Sequence, residues 1–389
     1  MGRPGRKLPL WKFKREALRF VRQIARAPSV LGNYFFGTLY YDLVHAGKVR
    51  RMPGQLALTD KVAIYLIYPQ YGLQPSHLRA LDYLKAKGYA PVVVSNLELA
   101  GSDREQVLKA SYLYIERPNF GYDFGGYRDG ILSLRAALPG LRHLCILNDS
   151  TWFNLPGASD WLQEAEGAGV DLGAAALNHG VSRVEITDFR TVVWRYQTTH
   201  KNFHFCSFAL LFSGKVLTDP GFLRFWQRFA LTNDKGRTVR RGEIGLSKWI
   251  LGQNFTHRVT CDLTHLDQEL ADLDNVRLRE VAASLIIPEN PRFQAIKHQL
   301  LAGTPSRKDM ISLILTGVAR QGSSYALADF TITEKRFPFL KKSPVWLNRE
   351  TSDITLKLAA ALPAPEGAEI LAEAIALRQR RAPQFDRPA

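Results

Sequence analysis

The sequence predicts an α/β protein built on a doubly wound, mostly parallel sheet, and three observations carry that reading. Past Gly54, short apolar runs alternate with amphipathic segments of helix length, an order that winds strands in parallel with helices on both faces. The runs stop on polar residues, with Tyr68, Asn96, Asn119 and Asp149 just beyond successive strands. Such sheets bind ligands at that carboxyl edge. The chain has 389 residues and is 46% hydrophobic, enough for a sizeable core.

Lys61 to Tyr68, stopped by Pro69, is the first buried strand. Ser76 caps the next helix, which turns Leu78, Leu81 and Leu84 inward and closes at Gly88. Pro91 to Asn96 is the second strand, Gln106 to Ser111 a helix, and Tyr112 to Ile115 the third strand. Asn119-Phe-Gly-Tyr-Asp-Phe-Gly-Gly-Tyr-Arg-Asp-Gly130 then reads as a glycine-rich loop leading to a helix over Tyr127 to Leu138. Leu144 to Leu147 is the fourth strand and delivers Asn148-Asp149-Ser150 to the edge. Asp171 to Leu177 and Phe203 to Phe212 extend the sheet, and Phe222 to Leu231 is an amphipathic helix.

Two stretches fit no core. Asn178 to Asn202, polar and aromatic, suits the wall of a ligand site better than a core, with His200 inside it and His204 just after it. The basic, glycine-bearing Thr232 to Gly242 suits a lid over phosphates, with Glu243 opening a helix through Leu251.

The chemistry of the edge points to a phosphorylated ligand. Gly121, Gly125 and Gly126 let backbone amides approach an anion where a helix begins. Arg128 can pair with phosphate oxygens. Asn119 and Asp123 have an alternative reading as turn and cap residues, and Arg128 as a solvated side chain. Asp149 follows a buried strand directly, where a carboxylate needs a cation, a donor or water. Ser207 and His204 sit on an apolar strand, where satisfied core roles compete with roles at a site.

These blocks resemble the bacterial rhamnan synthesis protein F family of glycosyltransferases: Asn119 to Tyr127, Leu147 to Ser150, Phe205 to Phe208 with Phe225-Trp226, and Glu243 to Ser247. The resemblance spans roughly Asp60 to Leu285. It implies a GT-A-like, nucleotide-sugar-dependent transferase. On that basis Asn119, Asp123 and Gly126 take the nucleotide and diphosphate, together with Tyr68, Asn96, Gly121, Gly125, Tyr127, Arg128, Asn148 and Ser150. Asp149 takes Mg²⁺ or Mn²⁺, although the family-type Asp-x-Asp pair is here Asn148-Asp149-Ser150 and holds one carboxylate. Glu243, 94 residues after Asp149, takes the role of catalytic base. His200, His204 and Ser207 fall to the acceptor side. The implied acceptor is a saccharide or lipid-linked saccharide of the bacterial surface, and the donor sugar a deoxyhexose such as rhamnose. A dinucleotide-dependent oxidoreductase is disfavoured, because the glycine-rich loop follows the third strand and lacks the acidic ribose partner. A non-catalytic scaffold on a degenerate transferase fold is the other alternative.

Charge sets the front apart. The chain carries 52 basic and 36 acidic residues, a net of +16. Residues 1–30 hold nine Lys or Arg against Glu16 alone, so half of the excess lies there. Leu10, Phe13, Ala17, Phe20 and Ile24 form one helical face, and Lys12, Arg15, Arg19, Arg22 and Arg26 the face about 200° away. That pattern suits a helix lying on an anionic membrane, with Trp11 at the headgroups; packing on the protein's own body is the alternative. Nothing downstream resembles a nucleic-acid-reading module. No apolar run is long enough for a membrane span, and Cys145, Cys206 and Cys261 stand singly, as reduced core residues of a cytosolic protein do.

The expected organisation is therefore a membrane-associating segment over residues 1–58, a transferase domain over 59–288 and a C-terminal appendage over 289–389. The whole is expected to be cytoplasmic and peripheral on the inner membrane face. Deleting residues 1–30 removes eight net positive charges. The truncated protein is expected to stay soluble and to stop sedimenting with anionic vesicles, whereas the full chain should bind them more weakly as salt rises. Unchanged vesicle sedimentation after truncation would place the membrane contact elsewhere.

Overall fold

The computed structural model describes residues 37–386 apart from Glu289; the cationic amphipathic segment over 1–30 lies outside the described residues. Eight strands form the main sheet: β1 (Arg50–Pro53), β2 (Lys61–Ile67), β3 (Ala90–Ser95), β4 (Leu113–Glu116), β5 (His143–Asn148), β7 (Leu172–Ala174), β10 (Ala209–Ser213) and β11 (His257–Val259). Their order across the sheet is β1-β4-β3-β2-β5-β10-β7-β11. The pairings β4·β3, β3·β2, β2·β5 and β7·β11 are parallel, while β1 and β10 run against their neighbours. Six strands thus share one direction and one carboxyl edge. The α/β, mostly parallel class expected from the sequence is the class observed.

Period-two alternation sorts β2 onto two cores. Val62, Ile64 and Leu66 face helix α3 (Tyr122–Ser133), whose Phe124, Tyr127 and Ile131 are buried. Ala63, Tyr65 and Ile67 face α1 (Pro75–Ala86) and α4 (Trp161–Gly167). The first two strands lie where the sequence puts them because β-branched runs buried on both faces leave little freedom of register.

Three local expectations are corrected. Helix α3 starts at Tyr122 and ends at Ser133, so Gly125 and Gly126 lie inside it. A Cβ on Gly126 would come within 2.3 Å of Leu66 Cδ1, so this glycine lets the helix settle on β2. The predicted strand Phe203 to Phe212 breaks in two: β9 (His204–Phe205) pairs with β8 (Leu177–Asn178) in a separate small sheet, and only β10 joins the main one. The basic stretch read as a lid is helical. Asp234 caps α6 (Lys235–Val239), which continues through the π-helical turn Arg240–Ile244 into α7 (Gly245–Gly252). Gly242 within it packs on the Phe124 ring. Glu243 therefore lies inside a helical run, away from the positive end of a macrodipole.

The residues past Pro288 wrap one side of the sheet. Phe293, Met310, Leu313, Phe337 and Phe339 share a core with Ala63, Tyr65 and Leu147. Helix Arg307–Gln321 receives the segment read as a ligand-site wall: Thr316 donates to the Phe189 carbonyl at 3.1 Å and Arg320 to the Val184 carbonyl at 2.8 Å. Strand β12 (Leu340–Lys341) pairs with β6 (Thr151–Trp152) immediately after Asp149-Ser150. Helix Glu366–Arg381 places Glu373 against the start of α1. There Lys342 Nζ donates to Glu373 Oε1 and to Ser76 Oγ, each at 2.9 Å, and Ser76 donates from Oγ to Glu373 Oε1 at 2.9 Å. Lys342 and Glu373 are both buried. All three cysteines are free, with Cys145 and Cys261 buried.

Burial pushes the Glu373 carboxyl up, but Lys342, Ser76 and His77 outweigh it and hold the group below the usual carboxylate range. Its stabilising contribution is thus fully present above about pH 4.3 and is lost as pH falls through the lowered folded value. Glu373→Ala leaves Lys342 buried and unpaired, an error worth about 3–5 kcal/mol. Urea unfolding is expected to register that loss at neutral pH and to show a smaller difference from wild type in strong acid. A variant as stable as wild type would show the pair to be dispensable.

Candidate functional site

Asn148 closes β5 and Asp149 stands just beyond it, at the edge where β2, β3 and β4 also end. Two donors from the neighbouring strand and its helix meet the carboxylate. Oδ2 of Asp149 accepts the Tyr68 amide at 2.7 Å and faces His77 Nε2 at 3.2 Å. His77 Nδ1 accepts the Gln74 amide at 3.0 Å, so in the neutral ring the proton sits on Nε2 and points at Asp149. Burial pushes the Asp149 carboxyl up, yet His77, Lys342 and the Tyr68 amide hold it below the usual carboxylate range. Asp149 is an anion with one engaged oxygen; among the described residues no donor reaches Oδ1.

Asn148 ties this centre to a second one. Its Nδ2 donates to Asp123 Oδ2 at 3.0 Å, and its Oδ1 accepts from Ser150 N at 3.2 Å and Ser150 Oγ at 2.5 Å. Asp123, in the first turn of α3, is exposed at the groove, where Tyr122, Phe124 and Ser207 line the same cavity and displace part of its water. That desolvation, with the charges of Asp149 and Glu243 nearby, pushes its carboxyl up to about 6.

The antiparallel course of β10 brings its beginning to the same edge, and with it Ser207. Ser207 donates to Glu243 Oε1 from its amide at 3.2 Å and from Oγ at 2.7 Å. His204 Nε2 stands 3.6 Å from Glu243 Oε2, while His204 Nδ1 faces the Asn202 carbonyl at 2.8 Å, a position suited to an N–H. Glu243 thus keeps one oxygen fixed by Ser207 and the other beside an imidazole.

Two cavities flank Asn148. One of about 220 Å³ has Asp149, Ser150 and His77 at its base and Tyr68, Tyr71 and Trp346 around it. The other, of about 80 Å³, lies between Asp123, Ser207, Lys235 and Glu243. The predicted residues Tyr68, Asp149 and Ser150 therefore line the first, and Asp123, Ser207 and Glu243 the second. Asn148 bridges them, and Asn119 is exposed in the bend before α3.

Other predicted residues are engaged elsewhere. Asn96 accepts from Arg117 Nη1 at 2.5 Å, and Arg117 Nε donates to Asp129 at 2.6 Å, a buried network capped by Tyr41. Arg128 is buried and donates to Asp42 at 3.2 Å and 3.4 Å. Tyr127 donates to the Ser207 carbonyl at 2.9 Å, supporting the turn that presents Ser207. Gly121, at a φ of +82°, gives its amide to Asn233 Oδ1 at 2.8 Å. Gly125 lies inside α3 against the Phe120 carbonyl. His200 Nδ1 accepts the Asn202 amide at 3.2 Å, a local turn contact.

Sequence reasoning missed His77, Lys341 and Lys342. His77 offered a faint signal, a histidine in the first turn of the helix after the first strand. The lysines belong to a basic stretch whose position against Ser150 no local pattern reveals. Lys342 donates its amide to the Ser150 carbonyl at 3.0 Å, and Lys341 Nζ lies 3.1 Å from Ser150 Oγ.

Comparison with known proteins places this edge in a family. The model of rhamnan synthesis protein F matches residues 91–355, a stretch that holds Asp123, Asp149, Ser207, Glu243 and the β12 lysines. The chain belongs to the rhamnan synthesis protein F family. The family match starts later than the sequence resemblance and runs on past Leu285 through β12. A curated relative, the uncharacterized protein y4gN of Sinorhizobium fredii, is 32% identical over 240 residues, 61% of this chain. The chain spans 57% of that relative's length. Among solved structures, core-mannan synthase A of Aspergillus fumigatus in its Mn/GDP form is 10% identical, with a TM-score of 0.28 over 50% of this chain and 72% of that one. The mannosyltransferase Ktr4p of S. cerevisiae is 11% identical, with a TM-score of 0.26 over 51% and 69%.

The expected Mg²⁺ or Mn²⁺ finds a partial fit. Asp149 Oδ1 is available as a ligand, but no group of three or more His, Cys, Asp or Glu among the described residues could hold an ion. A metal here would depend on substrate phosphates and water for most of its shell.

Asp149→Asn keeps the shape and the acceptor for Tyr68 and His77 while removing the charge. A folded protein is expected, with turnover of donor reduced at least about a hundredfold, or about 2.7 kcal/mol of barrier. Near wild-type turnover would make the carboxylate structural.

Proposed function

We propose that the chain is an inverting, nucleotide-sugar-dependent glycosyltransferase acting on a bacterial surface polysaccharide or its lipid-linked precursor. The observation that carries this reading is the pairing of two carboxylate centres at one sheet edge: Asp149, anchored by Tyr68 and His77, and Glu243, anchored by Ser207. Family membership supports the same reading and favours a deoxyhexose such as rhamnose as the sugar. The nucleoside lies in the cavity of Tyr68, Tyr71 and Trp346, with the diphosphate over Asp149-Ser150 and the sugar pointing toward Glu243.

In the transfer, the acceptor hydroxyl oxygen attacks the anomeric carbon from the face opposite the diphosphate. The carbon–oxygen bond to the diphosphate breaks, its electron pair leaves with the nucleoside diphosphate, and the hydroxyl proton passes to Glu243. Ser207 fixes Glu243 Oε1, so the proton is taken at Oε2, beside His204. A bound Mg²⁺ or Mn²⁺ would supply positive charge to the leaving diphosphate, with Asp149 Oδ1 as its protein ligand. No described helix is long and apolar enough to cross a membrane; the cationic residues 1–30 are the segment proposed to bring the enzyme to an anionic inner membrane face.

Only one carboxylate occupies the Asn148-Asp149-Ser150 corner, which favours a second reading, a scaffold that binds donor without transfer. Glu243→Gln separates the two. The variant is expected to keep donor affinity while transfer to acceptor drops at least about a hundredfold, with donor hydrolysis less affected. Normal transfer by Glu243→Gln would move the base to another residue, and donor binding without turnover by the wild type would favour the scaffold.

A further inference from the structure

Lys341 is a cation in an unusual position. Strand β12 sets it opposite Thr151, where its Nζ lies 3.1 Å from Ser150 Oγ and 4.0 Å above the centre of the Phe208 ring. Both contacts are neutral. Among the described residues no carboxylate lies within ion-pairing distance of its ammonium, although the side chain is half-buried. Its neighbour Lys342 is already neutralised by Glu373 at 2.9 Å.

Glu243 and Asp123 act on Lys341 only from beyond ion-pairing distance, so a half-buried ammonium gains from an anion that meets it directly. The hydroxyl beside it belongs to the residue next to Asp149, at the carboxyl edge where such sheets receive phosphates. Three carboxylates, Asp123, Asp149 and Glu243, act on this groove, and of the other lysines there Lys342 is tied to Glu373 and Lys235 is exposed. A diphosphate carrying about two to three negative charges would be repelled by those carboxylates without a fixed cation. The protein gives a divalent ion one free carboxylate oxygen. It gives a phosphate the Lys341 ammonium, held in place by the Ser150 oxygen, whose own proton goes to Asn148.

We propose that Lys341 is the resident cation for the donor's diphosphate, holding a nucleoside diphosphate at Asp149-Ser150 without requiring a divalent metal. The inference rests on the transferase reading of the same groove. As the bond between sugar and diphosphate breaks, the electron pair settles on a phosphate oxygen next to Lys341, which stabilises the departing anion. Lys341 thus contacts the leaving group, whereas Lys342 stays paired with Glu373.

The test is calorimetric titration of the full chain with UDP, dTDP and GDP, in EDTA and again in Mn²⁺. The wild type is expected to bind at least one of the three in EDTA, and Mn²⁺ to tighten that binding. Lys341→Met should weaken it at least tenfold in EDTA, and Lys341→Arg should restore most of the loss because it returns a cation to the same place. Thermal melting of both variants reports folding, and the arginine variant carries the test if the methionine variant is unstable. The proposal is overturned if EDTA abolishes binding by the wild type, or if Lys341→Met binds in EDTA as the wild type does. Failure of the wild type to bind any of the three with or without Mn²⁺ overturns the transferase reading along with it.

Discussion

The need to keep one anion at the end of a buried strand governs the architecture of the site. Asp149 leaves the sheet between hydrophobic layers, and its charge is held there by the Tyr68 amide and the His77 ring. Each partner must itself be placed. The amide follows from the parallel register of β2 with β5, and the ring from the Gln74 amide that fixes its tautomer at the start of α1. The same helix start is clamped from the far side, where Ser76 shares Glu373 with Lys342. A chain of short contacts thus runs from the carboxylate through the first turn of α1 to the C-terminal helix, and back to the edge through β12.

That closed circuit explains why the C-terminal hundred residues do not behave as decoration. Their helices complete the core on one face of the sheet, and Trp152 and Leu340 sit together in a third cluster beneath Val345 and Ile370. The antiparallel β10 plays a comparable part on the other side. A parallel strand in its place would present its far end, and Ser207 would lie at the opposite edge from Asp149. Reversing one strand is what allows a glutamate from the helical run 235–252 to stand across a groove from the aspartate just past β5.

Much of this was legible in the sequence, and the limits follow from physics. Strands β2, β3 and β5 announce themselves because runs of Val, Ile and Leu buried on both faces end at a proline or a polar residue. Asp149 is read from its place after a buried strand and Glu243 from the family resemblance, and the fold brings the two to one sheet edge. The start of α3 was misplaced because glycines usually signal a loop, whereas here they let the helix lie against Leu66 and the Phe120 carbonyl. The helix over Lys235–Val239 was hidden for the same reason, since Gly236 and Gly242 mask a segment that Asp234 caps and Phe124 receives. Asn96 and Arg128 carried polar groups suited to a nucleotide, but Arg117 and Asp42 engage them, and a pairing across the fold leaves no periodic trace. His77, Lys341 and Glu373 belong to the same class of contact.

The separation in sequence between the parts of this groove has a consequence for biosynthesis. Lys341 meets Ser150 across 191 positions, and Glu373 meets Ser76 across 297. A chain emerging from the ribosome can pair β2 to β5 and bury both sheet faces in part while the edge still lacks its ammonium and its clamp. The groove is finished only when helix Glu366–Arg381 docks, so a polypeptide not yet extended that far holds the sheet edge without Lys341 and without the Glu373 clamp. Synthesis itself thereby withholds the assembled site until the residues around Lys341 and Glu373 have been made.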